Sequence, residues 1–370
     1  MQVFNRVDDA TICGIDEALA ILRLGTGHWK DYTKMYPLFD HYVQLKQDLR
    51  SANIRNELSE IEKITSRICE LRHQLNNLWV DTHEELTIQA LQDGDKSSSF
   101  EAVLTIEGPA AEFAHLESVY LGVLARGTRV ATNTRSVVEA AKGKPILFFA
   151  DRFDRWSNQV ADGYAAMKSG AYGVATDAMG EWWGISGFGT IPHALIALFH
   201  GDTASASLAF NRYYPDVKAI ALVDFHNDSV QTSLEVAKSF AEEGKKLWGV
   251  RLDTSERMVD KSIVGMMGHF KPTGVCIPLV EKVRDALDNE GFQEVQIVVS
   301  GGFNPERIEE FEKASVPVDA YGVGSSLMSG SCDYTGDIVL VEGKPMAKAG
   351  RRYRPDKELK AFDWSEIESF

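Results

Sequence analysis

The sequence predicts an α/β protein in which a (β/α) barrel of parallel strands carries an α/β N-terminal domain that the C-terminal segment rejoins. Two observations support this fold. Short apolar runs alternate with helical segments between about residues 119 and 330, as in sheets whose strands are buried on both faces. Two glycine turns, Ser300-Gly301-Gly302 and Gly322-Val323-Gly324, close the last two runs. Such turns after the last strands of a barrel often bind phosphate, so a phosphate-ester site is expected there.

The first 118 residues are expected to form the N-terminal domain. One long amphipathic helix is predicted over Leu45–Leu78, because apolar residues recur there at intervals of three and four. We expect this helix to pack on its own domain, and a coiled-coil dimer is the alternative. A turn-rich break at Asp93–Lys96 precedes a predicted strand over Ala102–Glu107.

Residues 119–330 are expected to form the barrel, with six apolar runs as its buried strands. No Gly-x-Gly-x-x-Gly motif follows the first run, which argues against a dinucleotide-binding sheet. Residues 331–370 are expected to contain a strand near Asp337–Val341 and to pack on the N-terminal domain. The six runs are Ile146–Ala150, Tyr172–Thr176, Ala219–Asp224, Leu247–Leu252, Val295–Ser300 and Ala320–Val323.

Composition narrows the class of protein. The formal net charge is -15, which argues against a nucleic-acid partner. The four cysteines are isolated in the sequence, which is typical of a reduced protein with neither a disulfide framework nor a structural zinc site. No apolar leader opens the chain, and no apolar run approaches the length of a membrane span. A soluble cytoplasmic protein is therefore expected, with no membrane partner and no protein-bound metal.

Charged residues that directly follow the predicted strands are the candidates for catalysis, since a barrel places its active site at the C-terminal ends of its strands. Arg251 and Asp253 alternate on one strand and therefore face the same side. Buried charges need a partner or a ligand. The two residues therefore form an ion pair with each other, or Arg251 binds an anion while Asp253 binds hydroxyl groups. Arg152, after the first strand, has the same two interpretations.

His193 is the candidate for phosphoryl chemistry. It follows Pro192 and opens an apolar helix after Gly189-Thr190. In that place an imidazole can bind a ligand anion or attack a phosphoryl group, and a capping or core histidine is the alternative. No Ser-His-Asp order or cysteine nucleophile is recognisable. The candidates together suit a substrate with several anionic groups, whose reaction is promoted by fixed charges.

Seven motifs follow one another along the chain: Ile106-Glu107-Gly108, Phe149-Ala150-Asp151-Arg152, Gly189–Leu195, Val223-Asp224, Arg251–Thr254, Val299–Gly302 and Tyr321–Gly324. In this order and spacing they resemble the nicotinate phosphoribosyltransferases, type II phosphoribosyltransferases, in their compact archaeal-type branch. The resemblance covers about Ala102–Gly350. It implies transfer of phosphoribosyl from 5-phosphoribosyl 1-pyrophosphate to nicotinate, which yields nicotinate mononucleotide and pyrophosphate in NAD biosynthesis. It also implies ATP coupling, Mg²⁺, and a homodimer or higher homo-oligomer with shared active sites.

The same resemblance implies roles for the matched residues. His193, Arg251 and Asp253 would be catalytic, and ATP would phosphorylate His193. The ribose 5-phosphate would be held by Ser300, Gly301, Gly302, Gly322, Val323 and Gly324. The other substrate groups would be contacted by Arg152, Phe149, Thr190, Asp224, Thr254, Trp29 and Asp177.

The sequence departs from the family pattern at several of these positions. Trp29 stands where the family has tyrosine, and nearby Tyr32 competes with it for stacking on a pyridine ring. Phe153 replaces an arginine. Asp177 would repel the carboxylate of nicotinate but accept the amide of nicotinamide. A nicotinamide phosphoribosyltransferase and a non-catalytic phosphoribosyl-nucleotide-binding homologue are therefore the alternatives.

Overall fold

The computed structural model describes residues 1–268, 270–355 and 358–366. The strands are β1 (Gln2–Asn5), β2 (Ala10–Thr11), β3 (Gly27–Trp29), β4 (Trp79–Asp81), β5 (Thr87–Ala90), β6 (Lys96–Ser97), β7 (Ala102–Glu107), β8 (Ile146–Phe148), β9 (Gly173–Val174), β10 (Ile220–Leu222), β11 (Gly249–Leu252), β12 (Gln296–Val299), β13 (Ala320–Val323), β14 (Tyr334–Asp337), β15 (Leu340–Val341), β16 (Lys344–Pro345) and β17 (Lys360–Ala361). The α-helices are α1 (Ile15–Gly25), α2 (Tyr32–Arg55), α3 (Leu58–Asn76), α4 (Ala110–Phe113), α5 (Glu117–Ala140), α6 (Gln159–Lys168), α7 (Asp177–Gly180), α8 (His193–Leu198), α9 (Thr203–Tyr213), α10 (Ser229–Glu242), α11 (Ile277–Asn289) and α12 (Pro305–Lys313). No helix in the described ranges combines the length and apolarity needed to cross a membrane.

A sheet of six parallel strands forms the framework of the larger part of the fold. Its strand order is β10-β11-β12-β13-β8-β9, and every neighbouring pair is parallel. Each predicted apolar run contains one of these strands, so the prediction of an α/β fold with parallel strands is confirmed. Most runs extend beyond the hydrogen-bonded strand, because apolar side chains at the strand ends are buried as well.

The parallel sheet is curled, so that strands which are not neighbours pack through their side chains. Leu147 on β8 and Ile220 on β10 belong to one buried cluster. The segment from Phe188 to Ile191 bonds to both edge strands. The Phe188 N–H donates to the Val174 carbonyl at 2.6 Å, and the Ile191 N–H donates to the Ile220 carbonyl at 3.4 Å. The described strands thus make a curled sheet of six whose edges are bridged by one irregular segment, and a complete barrel stays a prediction.

A second sheet combines residues from the two ends of the chain. Its five antiparallel strands have the order β14-β1-β7-β5-β17, in which β14 and β17 follow the parallel sheet in sequence. The register places Phe4 opposite Thr335. Side chains of α1 and α5, among them Leu22, Tyr120 and Leu124, bury one face of this sheet. The C-terminal residues therefore supply edge strands to the N-terminal sheet.

A helical hairpin stands where the sequence predicts one helix over Leu45–Leu78, and that prediction is wrong. Helix α2 ends and α3 begins on either side of Asn56, which adopts a left-handed conformation with φ 55°. Asparagine tolerates this conformation better than most residues, and it reverses the chain here. The two helices then bury a common cluster that includes Ala52, Ile64 and Ile68. Apolar spacing alone does not distinguish one long helix from two helices that face each other.

Candidate active site

A hydrogen-bonded network centred on Arg251 lies at the C-terminal ends of β11 and β12. Arg251 Nε donates to Ser300 Oγ at 2.8 Å, Nη1 donates to Thr190 Oγ1 at 2.8 Å, and Nη2 donates to Asp253 Oδ2 at 3.0 Å. Ser300 Oγ donates in turn to Asp253 Oδ1 at 2.7 Å. The parallel register explains the meeting, since Arg251 lies opposite Val298 and Leu252 opposite Val299, and Asp253 and Ser300 are the residues that directly follow these two strand ends. Four predicted residues are thus brought together.

The aromatic ring of Phe149, the residue after β8, lies against the guanidinium of Arg251. The Arg251 Cζ lies 5.0 Å from the centroid of the Phe149 ring, a cation–π geometry. A Cβ on Gly322 would come within 2.6 Å of the same ring, so glycine is needed there for packing. A Cβ on Gly324 would come within 2.8 Å of the Phe149 carbonyl oxygen. The Val323 side chain is buried, and its carbonyl accepts from Phe149 N–H at 2.7 Å. The second glycine turn therefore packs against Phe149.

The first glycine turn has the backbone geometry that demands glycine. Gly301 and Gly302 have φ values of +86° and +72°, which place both in the left-handed region. Helix α12 begins directly after the turn, and Asn304 caps it by accepting a hydrogen bond from the Arg307 N–H at 3.0 Å. The buried Thr254 lies beside the turn, and its Oγ1 has no hydrogen-bond partner among the described residues. Ser300, which directly precedes Gly301, therefore connects the turn to the Arg251 network.

His193 and Asp224 form a pair at the same rim. His193 is the first residue of α8, after Pro192, and its Nε2 lies 3.0 Å from Asp224 Oδ1. The imidazole is half exposed, whereas the carboxylate is nearly buried. Burial raises the pKa of Asp224, the charge of His193 opposes that rise, and Asp253 adds to it. The carboxylate therefore holds one nitrogen of an accessible imidazole, the arrangement in which a histidine can act as a nucleophile.

Three predicted substrate-binding residues lie outside this network. Trp29 is on β3, which pairs antiparallel with β4, and it packs edge-on against Trp79, with ring centroids 4.9 Å apart. Arg152 is exposed and lies over the Phe153 ring at 5.9 Å. Asp177 Oδ1 accepts a hydrogen bond from the Gly187 N–H at 2.8 Å, next to the segment that bridges the sheet edges. None of the three makes a described hydrogen bond to the Arg251 network.

A large cavity lies elsewhere in the described part of the chain. It measures about 710 Å³ and is located between α1, α5 and α6, with Asp93 and Tyr164 in its wall. A smaller cavity of about 420 Å³ borders Gly302 and Arg307. We place the candidate active site at the Arg251 network, because convergent charged groups and a glycine turn in the left-handed region identify function better than volume does. Within the described ranges, no cluster of three or more His, Cys, Asp or Glu side chains is arranged to hold a metal ion.

Sequence comparison finds named relatives of this chain. A nicotinate phosphoribosyltransferase of Mycobacterium tuberculosis is 30% identical over 261 residues, which are 66% of this chain and 52% of that protein. The resemblance to the nicotinate phosphoribosyltransferases is confirmed. A second such enzyme of Mycobacterium tuberculosis is 26% identical, covering 62% of this chain and 45% of the other. The nicotinate phosphoribosyltransferase of Bacillus subtilis is 22% identical, covering 65% of this chain and 45% of the other. The chain spans about half the length of these relatives, and no family model matches it.

Solved structures of similar fold include proteins with related names. The nicotinate-nucleotide pyrophosphorylase of Pyrococcus furiosus superposes with a TM-score of 0.68 at 26% identity, over 95% of this chain and 72% of the other. The human nicotinic acid phosphoribosyltransferase superposes with a TM-score of 0.61 over 93% of this chain and 71% of the other. At 17% identity, the human structure supports the fold alone.

Two residues at the site were missed by the sequence analysis. Arg307 contacts the carbonyl groups of the first glycine turn, and Glu256 lies against Gly302. Arg307 is one of many charged residues on a polar helix surface in the sequence, and Glu256 lies in a loop. The one available signal is that Arg307 follows the capping residue Asn304 by three positions, which places it at the start of a helix beside the turn.

Proposed function

We propose that this chain is a nicotinate phosphoribosyltransferase, which forms nicotinate mononucleotide and pyrophosphate from nicotinate and 5-phosphoribosyl 1-pyrophosphate. The observation that carries the proposal is the Arg251 network beside the Gly301-Gly302 turn, in a chain whose relatives bear that name. A fixed guanidinium, a carboxylate pair and a glycine turn are what a sugar phosphate with a diphosphate leaving group requires.

The chemistry follows from these groups. The pyridine nitrogen of nicotinate attacks the anomeric carbon, and the bond from that carbon to the pyrophosphate oxygen breaks, so that the electron pair leaves with pyrophosphate. Arg251 would hold the carboxylate of nicotinate in place for the attack, and its own contacts to Ser300, Thr190 and Asp253 keep it from reorganising during the reaction. Asp253 and Asp224 would hold the ribose hydroxyls and position the anomeric carbon. Fixed charge and position thus supply the catalysis.

Nicotinate is proposed as the substrate rather than nicotinamide, because the carboxylate of Asp177 is already hydrogen-bonded within its own loop. The carboxylate of Asp177 would favour an amide, but it accepts a hydrogen bond from the Gly187 N–H and so holds its own loop. Half-buried Phe149, above which Arg251 lies, offers a ring face and a cation together. A planar anion such as nicotinate matches that combination better than a neutral amide does.

The remaining features of the family enter as proposals. ATP would phosphorylate His193, whose imidazole is half exposed and held by Asp224. Mg²⁺ would neutralise pyrophosphate, and Asp224 or Asp253 would bind water molecules of the cation, because carboxylate oxygens are ligands and acceptors suited to hydrated Mg²⁺. The six strands would belong to a complete barrel, and the protein would act in the cytoplasm as a homo-oligomer. Trp29, which lies apart from the Arg251 network, would then contribute to a neighbouring subunit's site.

The test is the formation of nicotinate mononucleotide by the purified chain and by an Arg251→Met variant. Wild type is expected to form the product. The variant is expected to lose at least about 30-fold in kcat/KM, since truncating one partner of a largely desolvated charge pair costs about 2 kcal/mol or more. Arg67→Met, which removes an exposed arginine from α3, serves as the control. Absence of product from the wild type, or equal rates for the two variants, would contradict the proposal.

A further inference from the structure

We propose that Arg307 is a positioning residue that sets the affinity of the Gly301-Gly302 turn for phosphate, and that Glu256 opposes it. The inference rests on the proposed function, because it takes the turn as the site of the donor's ribose 5-phosphate. It goes beyond that function by naming two residues outside the Arg251 network and by giving them opposite effects on the same ligand.

Arg307 binds backbone carbonyl groups on one side of the turn. Its Nη1 donates to the Gly301 carbonyl at 2.9 Å and to the Gly302 carbonyl at 3.4 Å, and its Nη2 donates to the Val275 carbonyl at 2.6 Å. The guanidinium lies 4.5 Å from the centroid of the Phe303 ring. One side chain therefore fixes two successive peptide groups of the turn and ties them to the loop before α11.

Because the peptide bond is planar, a contact that fixes a carbonyl group also fixes the direction of the following N–H group. In a trans peptide the C=O and the following N–H point in opposite directions. When Arg307 holds the carbonyls of Gly301 and Gly302, the N–H groups of Gly302 and Phe303 must point away from it. No hydrogen bond within the described residues engages either of these N–H groups. Two free amides on one face of a left-handed turn are an anion-binding arrangement.

The charge of Arg307 adds to the same effect. The residue is partly buried, and burial lowers the pKa of Arg307, while the nearby Glu256 raises it. Among the described side chains that line the cavity beside the turn, Lys271 is the other cation. A guanidinium behind the turn makes the potential at its amides more positive and favours a bound phosphate.

Glu256 acts in the opposite direction. Its carboxylate occupies the space that a Cβ on Gly302 would need, so it lies directly against the turn. The residue is exposed and belongs to the loop after β11. A negative charge in contact with a phosphate-binding turn weakens phosphate binding by repulsion, and it also neutralises part of the charge of Arg307. Removing Glu256's charge should therefore strengthen binding, whereas removing Arg307's charge should weaken it.

The experiment measures the Kd for ribose 5-phosphate by calorimetry and the KM for each substrate, at one fixed ionic strength. Arg307→Met is expected to raise the Kd for ribose 5-phosphate and the KM for the phosphoribosyl donor about tenfold, through loss of charge-assisted hydrogen bonds. The KM for nicotinate and kcat should stay within about threefold. Arg307→Lys keeps the charge but not the forked contact and should be intermediate.

Glu256→Gln is expected to lower the Kd for ribose 5-phosphate about threefold, and the matched control Glu309→Gln, on the exposed side of α12, should leave it unchanged. If Arg307 and Glu256 only stabilise the fold, then Arg307→Met and Glu256→Gln should both weaken binding of ribose 5-phosphate. That result, or equal increases of the KM for both substrates in Arg307→Met, would overturn the inference. If Arg307→Met does not fold, the directions of the Kd changes in Glu256→Gln and Arg307→Lys test the inference instead: Kd must fall in the first variant and rise in the second.

The calorimetric readout separates this inference from the proposed function. Wild type that binds ribose 5-phosphate but forms no nicotinate mononucleotide would contradict the proposed function, and the opposite shifts in Kd would still support the roles of Arg307 and Glu256. Wild type that forms the product without the predicted shifts in Kd would overturn the inference alone. Wild type that does not bind ribose 5-phosphate would overturn it as well.

Discussion

His193 is the residue that we propose ATP phosphorylates. Its Nε2 is held by the nearly buried Asp224, while half of the imidazole is exposed. We expect His193→Ala to abolish ATP hydrolysis by the enzyme and to leave a slow, ATP-independent transfer, because the Arg251 network is untouched. Phosphate release from ATP and formation of nicotinate mononucleotide are measured together. His73→Ala, on the exposed side of α3, is the control. Unchanged ATP hydrolysis in His193→Ala would remove the histidine from the coupling role.

Asp93 is a second residue with a predictable consequence, far from the rim. Its Oδ1 accepts a hydrogen bond from the Ile15 N–H at 2.7 Å at the start of α1, and its Oδ2 has no partner among the described residues. Burial, with the charge of Asp16 added, raises the pKa of Asp93 to about 6. A carboxyl group whose pKa is raised by folding stabilises the protein when protonated, and this stabilisation is lost as the pH rises towards that value.

We therefore expect Asp93→Asn to gain stability relative to wild type as the pH rises from 4 to 7. The expected gain is at most about 3 kcal/mol in the free energy of unfolding, since one pKa unit is worth about 1.4 kcal/mol. Urea unfolding of both proteins at several pH values measures it, and the difference between them cancels the other titrating groups. A difference that does not change with pH would show that folding does not raise the pKa of Asp93.

Strand-end residues were predictable from the sequence, and residues that act through the backbone were not. The ends of parallel strands converge at one edge of a sheet, so the meeting of Arg251, Asp253 and Ser300 follows from the positions of two apolar runs. Arg307 binds carbonyl groups. No side-chain pattern marks such a contact in a sequence. Gly322 was predicted as a phosphate ligand from its motif, whereas the structure shows its packing against Phe149.

The helical hairpin formed by α2 and α3 is an element whose stability can be tested separately from that of the parallel sheet. Ala52 is fully buried between the helices, in a cluster of its own. We expect Ala52→Asp to unfold the hairpin, because a carboxylate would be buried there without a partner. Limited proteolysis should then cut within residues 32–76, while the parallel sheet keeps its thermal transition.

The matched control for the hairpin is Ser51→Asp, which places the same charge on the neighbouring exposed position. Global unfolding of Ala52→Asp would contradict the view that the hairpin's core is separate from the rest of the molecule. Resistance of Ala52→Asp to proteolysis would contradict the packing of α2 on α3. The prediction of one continuous helix is wrong because the chain reverses at Asn56. Asparagine is compatible with the left-handed conformation found there, but its presence in a sequence does not dictate that conformation.

At the scale of the whole molecule, two long-range arrangements were only partly predictable. The alternation of runs and helices predicts parallel strands, and the curled sheet has them. The segment from Phe188 to Ile191, which bonds to both edge strands, contains a glycine and precedes Pro192, so it does not read as a strand. The pairing of β1 with β14 joins residues more than 300 positions apart, and the apolar pattern of either strand does not specify that partner.

We propose that the Arg251 network and its glycine turn transfer a phosphoribosyl group to nicotinate. The decisive test is product analysis with the phosphoribosyl donor, Mg²⁺ and ATP, and with nicotinate and nicotinamide offered in parallel. We predict nicotinate mononucleotide as the main product, with turnover of nicotinamide at least about tenfold lower, because Arg251 with Phe149 favours a planar anion. Formation of nicotinamide mononucleotide alone, or of neither nucleotide, would contradict the claim.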